Sequence, residues 1–221
     1  MYISQIEVLD KTRRWIYIEG EERFWLYRKD ITELHLEEKQ IISDAFFETM
    51  IQDKVLLYAK KKALELLERM DRSEAELRAK LLQRDFSEQI VSEAIAYTKK
   101  FHYLDDLRFA SNFISMRSSS KSKKQICYSL AQKGVSKEII EEAYSEFLLR
   151  HKEEQQWLGK EEEAEVENPE VFAIQKIVKR KGKPIGDYTK EELMKLTASL
   201  YRKGFSSANI RKVLLFDPDI E

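Results

Sequence analysis

Gln125 to Tyr144 reads QICYSLAQKGVSKEIIEEAY, and the same pattern is written twice more in the chain. Glu76 to Ile95 is ELRAKLLQRDFSEQIVSEAI, and Lys195 to Leu214 is KLTASLYRKGFSSANIRKVL. The three align without gaps at offsets of 49 residues (76 to 125) and 70 residues (125 to 195). Self-similarity of this kind marks stacked supersecondary units rather than one folded-over domain.

Each copy carries the same local physics. One helix puts apolar residues on a single face: Leu77 and Leu81, Ile126 and Leu130, Leu196 and Leu200. It stops at Asp85, Gly134 or Gly204. Glycine adopts the left-handed conformation that closes a helix without steric cost, and aspartate adopts it less readily. An apolar residue and a serine come next: Phe86-Ser87, Val135-Ser136 and Phe205-Ser206. The serine is an N-cap for the following helix, and the apolar residue before it is spaced to staple onto Val91, Ile140 or Ile210.

A leading helix precedes each pair, at about Asp53 to Met70, Asp105 to Arg117 and Pro169 to Lys181. Ser73 with Glu76 and Thr189 with Glu192 have capping-box spacing before the middle helices of the first and third units. Upstream, Ile3, Ile6 and Val8, then Trp15-Ile16-Tyr17-Ile18 and Phe24-Trp25-Leu26-Tyr27, with Glu19-Gly20-Glu21-Glu22 between the last two runs, read as a hairpin or three-strand meander. So small a sheet must pack on a helix.

The expected fold is therefore mainly α, with tandem three-helix repeats in three units forming an elongated, curved array behind a small N-terminal β-hairpin or three-strand β-meander. The boundaries fall at 1–50 for the β-rich extension, 51–104 and 105–150 for repeats one and two, 151–168 for an acidic connector and 169–221 for repeat three. A helix is expected to run to about Trp157 before the connector becomes flexible.

Charged residues make up 36% of the 221, which suits thin helical modules with much surface. The net charge of -1 lacks the basic excess of a dedicated nucleic-acid binder, so any DNA contact must come from local patches. A single cysteine, Cys127, excludes an intramolecular disulfide and a multi-cysteine zinc site. Met1 to Asp10 lacks the basic start and apolar run of a signal peptide, so none is expected, and no apolar run approaches the roughly 20 residues of a membrane span. The expected setting is the reducing cytoplasm, without membrane contact. There is no phosphate loop, HExxH or nucleophile elbow, and His35, His102 and His151 have no ligand spacing. Nothing points to an enzyme or to a cofactor.

Two places attract a functional reading. Arg117, Lys121, Lys123 and Lys124 surround a serine-rich loop before the middle helix of unit two. Lys176, Lys179, Arg180, Lys181 and Lys183 recur in the third unit, and Lys60, Lys61 and Lys62 with Arg69, Arg72 and Arg78 in the first. Such groups fit phosphate or carboxylate; equally, they are solvated helix faces. The run Tyr103, Leu104, Asp105, Asp106, Leu107, Arg108, Phe109, Ala110 reads structurally: Asp105 as cap, Asp106 at the positive helix end, Leu104 as staple to Phe109.

That run, continued as YLDDLRFASNFISMR and followed by the basic loop and QICYSLAQKGVSKEIIEEAY, resembles the RecX regulatory proteins. DRSEAELRAKLLQRDFSEQIVSEAI is similar to the family's preceding module, and ISQIEVLDKTRRWIYIEGEERFWLYRKD looks like an N-terminal extension of some members. The chain departs from the family in its SSSKSKK loop, where a glycine is common, in a weakly similar third unit and in the acidic connector.

The resemblance implies a monomeric, non-catalytic protein that lies in the groove of the RecA filament on DNA, lowers ATP hydrolysis and strand exchange, and contacts DNA weakly. Arg117, Lys121, Lys123, Lys124, Lys179, Arg180 and Lys181 are the expected contact residues. The other readings are a DNA-binding protein built of three-helix modules, and a helical-repeat scaffold for an unrelated partner.

Overall fold

In the computed structural model, residues 1–19, 23–157 and 168–215 are described, in two compact units, Met1–Asp105 and Asp106–Glu221. Residues 20–22, the stretch 158–167 of the expected acidic connector, and 216–221 lie outside the described residues.

The first unit opens with β1 (Ile3–Val8), β2 (Arg13–Ile18) and β3 (Arg23–Tyr27), an antiparallel meander in the order β1-β2-β3. Alternation along the strands puts Ile16 opposite Ile6 and Phe24, and Trp15 opposite Trp25. Ile3, Ile16, Ile18, Phe24 and Leu26 are buried. They share one core with Val55, Leu56, Ala59, Leu77, Leu81 and Val91. The sheet has no core of its own; burying such side chains against helices contributes about 1.5–3 kcal/mol apiece.

Helices α1 (Arg28–Glu33) and α2 (Asp44–Met50) follow. Ser43 caps α2 by accepting from the Phe46 amide. The chain then passes through a wide π-type turn, Ile51–Leu56, straight into α3 (Leu57–Arg69). The leading helix thus starts well before the expected Asp53. A wide turn shifts the helical period by a residue, so the apolar stripe on one side of it does not extend to the other. Two more helices complete the unit, α4 (Glu74–Leu82) and α5 (Glu88–Lys100).

The second unit repeats the three-helix plan twice: α6 (Asp106–Arg117), α7 (Lys123–Gln132) and α8 (Lys137–Trp157), then α9 (Pro169–Lys179), α10 (Lys190–Arg202) and α11 (Ser207–Leu214). Each set has its own core. Phe109, Ile114, Ile126, Leu130 and Val135 belong to one, and Ile174, Leu196, Leu200, Phe205 and Ile210 to the other.

The stop, staple and cap hold in all three copies. Asp85, Gly134 and Gly204 are left-handed, with φ of 65°, 77° and 80°. Ser87, Ser136 and Ser206 accept from the amides of Ile90, Ile139 and Asn209. Phe86, Val135 and Phe205 are buried, as are Val91, Ile140 and Ile210. Both expected capping boxes are present. The third copy differs at one point: Thr189 starts α10 one turn earlier than the alignment with α7 would place it.

Candidate functional site

The serine-rich loop between α6 and α7 is held by residues of the third three-helix set. Ser122 is fully buried and works in two directions. Its Oγ accepts from the Gln125 amide at 3.2 Å, capping α7, and donates to the Lys203 carbonyl at 2.6 Å. That carbonyl sits at the end of α10, where no intrahelical donor reaches it. The Glu170 carboxylate, at the start of α9, accepts from the Lys123 amide at 2.8 Å and from Asn209 Nδ2 at 2.7 Å. It thereby satisfies one of the free amides of α7 and fixes α11 at the same time. Gly204 is tight against this junction: a Cβ there would stand 3.0 Å from Ser122 Oγ and 3.2 Å from Lys124 Cβ.

Four of the seven expected contact cations, Arg117, Lys121, Lys123 and Lys124, lie in or beside this anchored loop. Arg117, Lys123 and Lys124 are exposed and Lys121 is half-buried. Arg117 lies over the Phe113 ring at 5.8 Å and Lys123 over the Tyr144 ring at 4.9 Å. Burial pushes the Tyr144 hydroxyl upward in pKa, so the ring stays neutral beneath the ammonium. Lys176 reaches Ser119 Oγ at 3.5 Å, which brings α9 alongside the loop. Lys179, Arg180 and Lys181 are exposed at the far end of α9, beyond that contact. Lys183 is taken up by Glu192 at 2.6 Å, and its ammonium draws that carboxyl below the usual range. The cluster in the first unit is divided: Arg78 pairs with Glu74 and Glu88, and Lys62 with Glu65.

The run from Tyr103 to Ala110 joins α5 to α6. His102 is left-handed at φ 57°, and the amides of His102 and Tyr103 close α5 on the carbonyls of Lys99 and Thr98. Leu104 is buried in the core of the first unit, and Phe109 and Ala110 are buried in the second. Tyr103 and Arg108 are exposed, while Asp105 and Asp106 are half-buried. Burial raises the Cys127 thiol, as suits a packing residue.

Sequence reasoning missed Ser122 and Glu170. Ser122 had a signal: it stands 49 residues after Ser73, with Gln125 in the place of Glu76. Glu170 had none, because its partners are 39 and 47 residues away. Among the described residues, no group of histidine, cysteine and acidic side chains could hold a metal ion, and no helix is long and apolar enough to cross a membrane.

Two family models match, "RecX, first three-helix domain" over residues 59–97 and "RecX, second three-helix domain" over 105–143. Regulatory protein RecX of Caldanaerobacter subterraneus subsp. tengcongensis is 30% identical over 216 residues, spanning 97% of this chain and 98% of its own. Regulatory protein RecX of Clostridium acetobutylicum is 31% identical over 147 residues, 66% of this chain and 69% of the relative. A crystal structure of regulatory protein RecX superposes with a TM-score of 0.57 at 19% identity, covering 96% of this chain and 98% of that one, a likeness of fold.

Proposed function

Because the chain belongs to the RecX family of regulatory proteins, we propose that it is a non-catalytic regulator that binds the RecA filament on DNA and lowers its activity. The observation that carries this reading is the anchored basic corner. Ser122 and Glu170 fix the backbone of the α6–α7 loop, so its cations are presented without the full ordering cost of a loose loop. The carboxylates of a protein filament and the phosphates of its DNA are both anions that a preorganised set of cations recognises. Arg117, Lys121, Lys123 and Lys124 form the main contact, with Lys179, Arg180 and Lys181 extending it. The protein acts as a monomer in the cytoplasm.

The test is the DNA-dependent ATPase of a cognate RecA with the protein added substoichiometrically. Inhibition well below one-to-one is expected. Reversing Lys121, Lys123 and Lys124 to glutamate together weakens it while helicity stays intact. An unchanged inhibition curve with a folded variant overturns the role of the corner.

A further inference from the structure

The first unit contains a cleft of about 340 Å³ between the sheet and α3. One wall is aromatic. Trp25 stacks parallel to Tyr58 with centroids 6.0 Å apart, and Tyr27 stands edge-on to Tyr58 at 4.8 Å. The Trp25 indole is fixed by donating to the Arg84 carbonyl at 3.0 Å. Trp25 is buried, whereas Tyr27 and Tyr58 keep part of their surface open.

The rest of the lining is strongly basic: Arg13, Lys29, Lys61, Lys62 and Arg84, against one carboxylate, Glu65. Two of these cations are already used. Arg13 is taken by Asp10 at 2.7 Å and Asp85 at 3.7 Å, and Lys62 by Glu65 at 2.6 Å. Lys29, Lys61 and Arg84 have no ion-pair partner within 4 Å among the described residues, and all three are exposed; Lys62 holds the Glu65 carboxyl below its usual range, and Lys61 adds a smaller pull. Lys29 stands 6.0 Å from the Tyr27 ring.

Unpaired cations beside half-open rings suit a ligand that brings both negative charge and a planar face. An acidic peptide brings the charge without the plane. A duplex brings the charge with its planes stacked away. An unpaired nucleotide brings both, and stacking on a ring together with phosphate on lysine and arginine is how single strands are held. The volume falls in the range of small-ligand sites, enough for one nucleotide with the strand continuing out of the cleft.

We propose that this cleft seats one nucleotide of a single DNA strand, with phosphates on Lys29, Lys61 and Arg84 and the base against Tyr27 and Tyr58. This contact is separate from the α6–α7 corner and does not depend on the recombinase reading.

The experiment is fluorescence anisotropy of a labelled oligothymidine strand with the full chain and no recombinase. Wild type binds at low salt with a log–log salt slope between about -1.4 and -2, from the two phosphates that flank the seated nucleotide and at most one more of the continuing strand, at roughly 0.7 each. K29E/K61E/R84E weakens binding more than about tenfold and flattens the slope. The milder K61Q/R84Q, on exposed positions, loses part of the affinity and decides the matter if the triple reversal disturbs helicity. Wild type that fails to bind, or variants that bind like wild type, overturn the proposal. Polyglutamate displacing the strand as well as unlabelled oligothymidine assigns the cleft to acidic polymers, and thymidine monophosphate doing so at equal nucleotide concentration assigns it to free nucleotides. Either result overturns the strand.

Discussion

The first three-helix module and the second follow one sequence pattern, yet they lean on different neighbours. The first is braced by a β-sheet that shares its core, and its α4 ends on a left-handed aspartate, Asp85. The second shares a compact unit with the third module, whose Glu170 and Lys203 tie down the loop before α7. The consequence is a division of the positive charge. Against the sheet, five cations border an aromatic cleft and three of them have no ion-pair partner; at the other junction, the cations ring a loop whose backbone is already committed. A repeat fixes where helices begin and end, and the neighbour fixes which side chains remain available.

The sharpest way to break the equivalence of the copies is to empty their cores. Leu81, Leu130 and Leu200 occupy matching positions and are at most 1% exposed. Each change to alanine is expected to cost about 3 kcal/mol by denaturant unfolding. A much smaller loss at Leu200 would show that the third module is packed by other rules.

The junction is the next target. Gly204→Ala combines a left-handed backbone with contact against Ser122 and Lys124, and is expected to cost about 2 kcal/mol. A cost below about 1 kcal/mol would show that the loop can retreat. Ser122→Ala removes a cap and leaves the Lys203 carbonyl without its donor, so about 1.5 kcal/mol is expected. Ser136→Ala removes only a cap and is expected to cost about 1 kcal/mol. Equal losses at the two serines, by thermal melting, would deny the junction any share.

The opposite change in the first module tests the same comparison from the other side. Asp85→Gly relieves the left-handed residue and gives up an ion pair with Arg13 that is partly exposed. A net gain of about 0.5 kcal/mol is expected. The smallest effect concerns pH. Burial alone would raise the Glu74 carboxyl, but Lys99 and Arg78 outweigh it and hold it below its ordinary 4.5. Its contribution is therefore present above that value and is lost as pH falls through the lowered one. The stability difference between wild type and Glu74→Gln, a few tenths of a kcal/mol for so open a pair, should vanish in acid. A difference that persists there would assign Glu74 a role other than charge.

Much of this was legible along the chain because the determinants are local. Stop, staple and cap each join residues a turn or so apart, so Asp85, Ser87 and their copies could be read from spacing alone. The early start of the first leading helix was not legible, since a wide turn at Ile51–Leu56 shifts its period. Nor was the cleft: Lys61 stood out as part of a basic run, but Arg13 and Trp25 reach it from strands and Lys29 from α1.

By itself, then, the sequence determined three modules, their helix ends and a sheet in need of a helix to cover it, because hydrophobic period and capping act over a few residues. The tertiary structure decided which cations are held and which stand free. Whether Glu170 meets Lys123, or Tyr27 meets Tyr58, depends on contacts between segments tens of residues apart, and spacing along a chain carries no record of those.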